Sequence, residues 1–352
     1  MTQWMRKITV EYGQAGQVSN YGPPEPWSIT SEGNSDYRIQ FSFKRTNTNH
    51  ADTGRLAIYN LPPAFMASIK SGVAKSNADR KTILGLIRFK SDIDARNAEL
   101  RELSTSNLIR VYAGYKDGTK LIFTGDITSI DVKSMGSDTD SITSMDLGDA
   151  IIPLKYGWLN KTFAGGSKLE DVLNTIMMST GLSPSEMAKK FQNETVAGVE
   201  VAEFRNGLAI MGGIKRNVDA IVARYGAQWF IRDGEFFFMA RGAIIDDFVL
   251  RLDLGANVLR PLSELDGDSV RFTMLIDGDM MPGRGFRIFD EDGEQLSNIG
   301  YRADTVSYVG DTHGNPWYCI VEGIKIDDQA FPPATALTAG QVFTTENVAV
   351  PP

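Results

Sequence analysis

The chain has one cysteine, Cys319, in 352 residues. A single thiol cannot form an intramolecular disulfide, which excludes a disulfide-stapled scaffold and fits folding in a reducing compartment. Histidine is nearly as scarce: only His50 and His313 occur, in the polar, turn-like settings "TNTNHAD" and "GDTHGNP". Long apolar runs are also missing. The first residues, "MTQWMRKITVEYGQ", contain no core of signal-peptide length, and no window approaches the ~20 apolar residues that a membrane span requires. No membrane-spanning segment and no export by that route are expected. Finally, there is no surplus of positive charge. With 36 basic against 44 acidic residues the net charge is −8, which disfavours a nucleic-acid groove built from a generally basic surface and leaves only a local basic patch open.

The residues present describe a folded, turn-rich protein. Hydrophobic residues make up 42% and charged residues 23%, with 34 glycines, a composition that leans toward β structure rather than disorder. The length suits two or more domains. "YRIQFSFKR" (37–45) alternates Ile39, Phe41 and Phe43 against polar neighbours, the period-2 pattern of a half-buried strand. "GRLAIYNLPP" (54–63) reads as a second strand stopped by Pro62 and Pro63. The charged stretch from about 72 to 105 spaces Ile83, Leu86, Ile87, Ile93, Leu100 and Leu103 mostly by three, four or seven, which predicts one or two inserted helices. Strands follow at about 108–115, 119–132 and 140–148, with "KDGT" (116–119) as an Asp-Gly hairpin turn.

The middle of the chain changes character. In "SKLEDVLNTIMMSTGL" (167–182) Leu169, Val172, Leu173, Ile176 and Met177 share one helical face, and Ser167 with Glu170 matches a capping box. "SPSEMAKKF" (183–191) offers Ser183 as an N-cap with Pro184 at the first helical position. A helix over 215–225 then runs into two aromatic strands around Asp233-Gly234, a hairpin spanning 228–241. Further strands are expected at "SVRFTMLI", "GFRIF", "IGYRADTVSYV" and "PWYCIVEGIKI". The last stretch, 329–352, rich in Pro, Ala and Thr, reads as an extended arm. This divides the chain into a β domain (1–155), an α+β middle region (156–255), a second β domain (256–328) and the arm.

The two β domains repeat one order of elements. The first has a strand at 55–59, a proline-marked stop, a strand at 108–115, a turn with Asp117-Gly118, long strands around Gly125, and a last strand to 148. The second has a strand at 270–276, a loop with Pro282-Gly283, a strand at 286–289, a turn with Asp292-Gly293, a strand with Gly300, and a last strand from Trp317 to Ile326. Residue identity is slight, and the order of elements is what implies a duplication.

Catalytic patterns are weak. Cys319 alternates with aromatics in a strand, as a core-filling residue does, rather than pairing with His313 as a nucleophile. "FAGGSK" lacks the Gly-Lys-Ser/Thr ending of a phosphate loop, and "PGRG" lacks the third glycine of a dinucleotide loop. The acidic runs "GSDTDSITSMDLGD" and "DEDGEQLSN" lack the ligand ladder and terminal glutamate of a calcium loop and read as turns between strands. A carboxylate pair for glycoside hydrolysis would be set by the fold alone, and no sequence feature favours it. No catalytic, cofactor-binding or metal-binding residue is nominated.

The runs "RLAIYNLP", "IRVYAGY", "LIFTGDITSIDV" and "SITSMDLGDA", followed by "KTFAGGSKLEDVLNTIMMSTGL", resemble baseplate hub proteins of contractile-tailed bacteriophages and the tail-tube-like hub components of type VI secretion systems. "NVDAIVARYGAQWFIRDGEFFFMARG", "VRFTMLIDGDMMPGRGFRI" and "WYCIVEGIKI" are similar to that family's later segments, so the resemblance covers about 37–326. The helical insertion and the C-terminal arm depart from it. The resemblance implies an α+β, mainly β chain with two tail-tube-like β-barrel domains and a small helix/hairpin subdomain between them. It further implies a homotrimeric, non-enzymatic structural protein of the virion tail baseplate, assembled in the host cytoplasm. Its expected partners are the tail tube protein, the central spike protein, the tape measure protein and other baseplate subunits, with DNA passing transiently through its channel. The rival readings are a cell-wall-degrading or carbohydrate-active tail enzyme and a receptor-binding β-rich module.

Overall fold

A computed structural model describes residues 5–13, 26–32, 37–48, 50–86, 93–116, 118–134, 140–149, 151–180, 183–184, 203–240, 242–245, 249–264, 268–290, 292–294 and 300–326. The first part of the chain forms β1 (Arg6–Tyr12), β2 (Trp27–Glu32), β3 (Ile39–Thr46) and β4 (Thr53–Tyr59). Two helices follow, α1 (Pro63–Leu86) and α2 (Ile93–Ser106), and then β5 (Leu108–Tyr115), β6 (Gly118–Ser134) and β7 (Ser141–Gly148). The middle part consists of α3 (Ile151–Tyr156), β8 (Trp158–Phe163), β9 (Ser167–Lys168), α4 (Leu169–Thr180), β10 (Ser183–Pro184), β11 (Glu203–Phe204), β12 (Leu208–Gly213), α5 (Ile214–Arg224), β13 (Ala227–Arg232) and β14 (Glu235–Ala240). The last part holds β15 (Val249–Asp253), β16 (Val258–Glu264), β17 (Ser269–Met274), β18 (Gly285–Phe289), β19 (Gly300–Asp311) and β20 (Trp317–Ile326).

The fold is α+β and mainly β, as the sequence implies. Thirteen strands make one sheet whose main path runs β16-β17-β20-β19-β3-β4-β7-β6-β5-β1-β2, with β18 on β19 and β15 on β18. Alternation places the apolar side chains on one face: in β3, Ile39, Phe41 and Phe43 are buried while Ser42 and Lys44 are exposed. The inward residues of both halves merge into a single apolar cluster that reaches from Ile8 and Phe123 to Phe286 and Val321, so the two β sets share one core. A second cluster, around Leu173, Val218, Trp229 and Phe238, belongs to the middle region.

Several expectations shift. The helical insertion begins at Pro63 rather than near 72, because Pro63 occupies the first helical turn, where its missing N–H costs nothing. Ile69 and Val73 of α1 are buried in the main core, and Trp27 stacks on Phe65 at 5.0 Å. Ser167 is not a helix cap: it sits in β9, paired with Phe204. The helix expected over 183–191 is described only at Ser183 and Pro184, which pair in parallel with Glu235 and Phe236; the remainder and the arm at 329–352 lie outside the described residues. In "KDGT", Gly118 already pairs with Tyr115, so it belongs to β6 rather than to the turn. β1 and β2, absent from the expected strands, form an antiparallel pair on β5. β15, which the division at 256 leaves in the middle region, pairs with β18 of the second β set.

Candidate functional site

The repeated order of elements is a repeated topology. In the first set, β3 pairs with β4, β4 with β7, β7 with β6 and β6 with β5, all antiparallel. In the second set, β16 pairs with β17, β17 with β20, β20 with β19 and β19 with β18, again all antiparallel. Irregularities repeat as well. β6 has a register shift against β7 between Ile127 and Ser129, and β19 has one against β20 between Ala303 and Thr305. Just before each shift a backbone bond closes the neighbouring strand, Ile127 N to Asn107 O at 3.1 Å and Ala303 N to Arg284 O at 2.9 Å. One cross-strand ion pair recurs: Arg55 with Asp146 at 3.8 Å, and Arg271 with Glu322 at 3.7 Å, each on facing residues. These correspondences equate β6 and β19 residue by residue, so that Ser129 matches Thr305 and Lys133 matches Val309. The sets differ in their sixth strand, since β1 runs antiparallel to β5 whereas β15 runs parallel to β18.

The two sets are joined by strand pairing. One edge of β19 is shared: Tyr301 and Arg302 pair with β18, and from Thr305 onward the edge pairs antiparallel with β3, Thr305 facing Thr46 and Asp311 facing Gln40. The bulge between those segments re-aims the strand from one set to the other. Close packing fixes the seam. A Cβ on Gly310 would lie 2.2 Å from the Phe41 ring that faces it, and one on Gly54, on the other flank of β3, would lie 2.2 Å from Phe43. At the end of the seam the buried Asp311 carboxylate accepts from Arg38 (2.8 Å), Gln40 (2.7 Å) and the His313 backbone N–H (2.9 Å). These donors outweigh desolvation and hold Asp311 down to about 2. Arg6 adds hydrogen bonds to the Asp311, Gly314 and Asn315 carbonyls.

A buried charge cluster ties the middle region to both sets. Arg45 on β3 donates to Asp52 (3.1 Å), to the Ile122 carbonyl (2.9 Å) and to Asp233 (2.9 Å) in the β13–β14 turn. Asp233 and Gly234 both have positive φ, 53° and 80°, the backbone of a type I′ turn. The Asp233 N–H donates to Asp149 at 2.7 Å. Arg232 lies over the rings of Phe230 and Phe237, at 4.9 and 5.4 Å, and donates to the Pro282 carbonyl of the second set. Burial pushes Asp149 well above the usual carboxylate range, with Asp233 and Asp52 adding to the effect. Burial also raises Asp52, against the pull of Arg45, and it lowers Arg232 to about 10. For Arg45, Asp233 and Asp52 outweigh desolvation and keep the cation. Each of these residues makes at least one hydrogen bond to another part of the chain, while Arg232 Nε and Nη1 and Asp233 Oδ1 are buried without one, and the cluster works as a clasp.

The residues weighed as chemistry in the sequence are apart. Cys319 is fully buried in β20, its thiol donating to the Leu275 carbonyl at 3.4 Å, and burial raises its pKa. His313 is exposed at the tip beyond β19, its Nδ1 2.9 Å from the Thr312 hydroxyl. His50 is exposed in the β3–β4 loop. In "DEDGEQLSN" the Asp290 carboxylate accepts the backbone N–H groups of Asp292 and Glu294, which makes a turn. Among the described residues no group of histidine, cysteine or acidic side chains is arranged to hold a metal ion. The sequence missed the clasp, because Arg45, Asp149 and Asp233 are far apart in the chain and only the hairpin's Asp-Gly pair marked one end of it.

No protein-family model matches the chain, and no curated protein matches it. Solved structures do match in fold. The 43 kDa tail protein of prophage MuSo2 from Shewanella oneidensis aligns at TM-score 0.50 and 10% identity, over 92% of this chain and 100% of that one. A type VI secretion system component of E. coli, itself described as similar to the T4 bacteriophage tail proteins gp27 and gp5, aligns at TM-score 0.50 and 10% identity, over 84% of this chain and 75% of that one. A tail protein from Neisseria meningitidis aligns over 92% of this chain at TM-score 0.49 and 10% identity. The chain thus has the fold of phage tail and type VI secretion hub-like proteins.

Proposed function

We propose that the chain is a structural hub of a phage-type tail baseplate, a homotrimer that adapts a sixfold tail tube to a threefold central spike. The observation that carries this reading is the duplication: one chain holds two copies of a five-strand unit, joined through the edge of β19 and the edge of β3. Closed rings need matching interfaces. Three chains with two such units each offer six quasi-equivalent units to a tube and keep threefold symmetry for a spike. In this reading the two units are tube-type barrels, the middle region and helical insertion contact other baseplate subunits, and the ring lines the channel through which DNA passes. Tube, spike and tape measure proteins are the partners. The net charge of −8 supports passage, because a channel that gripped phosphates would retard it. A structural role is supported by the charge cluster, in which Arg45, Asp149, Arg232 and Asp233 each make at least one hydrogen bond between distant parts of the chain.

Native mass measurement of the purified protein tests the trimer. The expected particle is three times 38.7 kDa, about 116 kDa; a particle that stays monomeric at tens of micromolar overturns the reading.

A further inference from the structure

The clasp has an excess of acid over base. Around Asp149 stand Asp52 from the β3–β4 loop, Arg45 from β3, Asp126 from β6 and Asp233 from the β13–β14 turn. Arg232 of β13, Tyr112 of β5 and Tyr308 of β19 lie behind them, and burial raises the pKa of both phenols and keeps them neutral. Four carboxyl groups thus share two guanidinium groups. With all of them ionised, two negative charges are left over in a mostly buried site. The cations are also shared unevenly. Arg45 holds Asp52 and Asp233 by ion pairs, whereas Arg232 donates to the Pro282 carbonyl rather than to a carboxylate. Asp149 is 3% exposed, and among the described residues no cation lies within ion-pair distance of it. Its carboxylate accepts from the Asp233 N–H at 2.7 Å. A carboxylate taken out of water without an ion pair or a full set of donors is more stable with a proton on it. That proton has an acceptor within the cluster, Asp233 Oδ1, which is buried without a hydrogen bond.

We infer that the cluster is a proton-binding site centred on Asp149, and that the bound proton locks the β13–β14 turn onto the sheet. With Asp149 neutral, the Asp233 N–H reaches Asp149 and the Asp233 carboxylate reaches Arg45. When Asp149 gives its proton to solvent, its charge meets the Asp233 carboxylate across the same contact, and hydration of both favours lifting the turn. Arg232 Nε and Nη1, buried without hydrogen bonds, gain water partners in the lifted form and lower the cost of opening. Apolar packing does not oppose this. The hairpin's apolar side chains lie in the middle region's own core, or beside Gly283, and not in the main core. The sign follows from Asp149, whose folded value lies well above the ordinary 3.8 through burial, Asp233 and Asp52. The closed form binds the proton more tightly than an open form whose carboxyl meets water. Closure is therefore strongest below pH 3.8 and weakens as pH rises to the folded value. The lock lies within one chain and is independent of how many chains assemble.

Two measurements on the full chain, followed from pH 4 upward, test it. Infrared spectroscopy reads the proton. The carbonyl stretch of a protonated carboxyl, separate from carboxylate bands, should persist above about pH 5, where exposed acids are already ionised, and then disappear in one step. Asp149→Asn should remove it. Hydrogen exchange, corrected for intrinsic rate, reads the turn. Protection of the peptide covering 230–236 should fall by up to about tenfold per pH unit and level off where the infrared band disappears. In Asp149→Asn the fall should be smaller. Asp233→Asn is a second variant, since asparagine tolerates the positive φ of 53° at that position. By removing a neighbouring negative charge it should move the infrared step to lower pH. No protonated-carboxyl band above about pH 5, or a band unchanged in Asp149→Asn and unmoved in Asp233→Asn, overturns the proton site. Protection at 230–236 that ignores pH, or falls as steeply in Asp149→Asn, overturns the lock. An equal fall in the peptide covering 317–326 of β20 would mark general unfolding and overturn the lock as well.

Discussion

Replacing Arg45 with methionine removes the cation from the clasp while keeping most of its volume. The Arg45 side chain is 1% exposed and Asp52 2%, with Asp233 at 27%. The substitution strands Asp52 beside Asp149, both in buried positions, and frees the Ile122 carbonyl. Removing one partner of a buried ion pair costs about 3–5 kcal/mol, because the remaining charge stays desolvated. At roughly 2 °C per kcal/mol for a chain of this size, the melting temperature should fall by about 6–10 °C. Differential scanning calorimetry at pH 7 reads the change, with Arg55→Met as the control. Arg55 and Asp146 are 62% and 57% exposed, and such surface pairs contribute about 0–1 kcal/mol. Adding Asp52→Asn to Arg45→Met should restore part of the loss by removing the stranded charge. A melting temperature for Arg45→Met no lower than that of Arg55→Met would refute the reasoning.

Three further outcomes are expected. The Asp311 carboxyl titrates at about 2, below its ordinary 3.8, so its stabilisation is complete above pH 3.8 and lost as pH falls through 2; it is worth about 1–2 kcal/mol after allowance for the half-exposed Arg38. Asp311→Asn should flatten the acid limb of the melting-temperature profile between pH 4 and 2, and an unchanged limb would count against the assignment. Asp149 shifts the other way, so its contribution is present below pH 3.8 and lost as pH rises through its folded value. Asp149→Asn, whose amide oxygen still accepts the Asp233 N–H, should therefore raise the melting temperature at pH 7 by more than at pH 4, and a gain that is equal at both values would contradict it. Gly310→Ala should cost about 1–3 kcal/mol by forcing the Phe41 ring off the seam, measurable as a drop in urea midpoint; a neutral effect would show that the ring moves aside freely.

Much of the fold was legible because it is written in local patterns. The alternation in "YRIQFSFKR" marked β3, the apolar face of "LEDVLNTIM" marked α4, and the Asp233-Gly234 pair marked the β13–β14 turn. The duplication was visible as an order of elements, although the two ion pairs that prove its register, Arg55 with Asp146 and Arg271 with Glu322, share no sequence neighbourhood. What the sequence hid depends on pairing between distant segments. Ser167 looks like a cap until Phe204 arrives to pair with it. The β19–β3 seam, across which the buried residues of the two β sets form one apolar cluster, joins segments too distant for any local pattern to show. The clasp joins residues up to 188 positions apart, and no spacing rule reaches that far.

The central claim is that the duplicated unit builds a ring. Cryo-electron microscopy of the purified assembly tests it most directly. Averages viewed down the axis should show six similar densities around a central hole on one face and threefold symmetry on the other. A particle without a central hole, or a twofold dimer, would contradict the account.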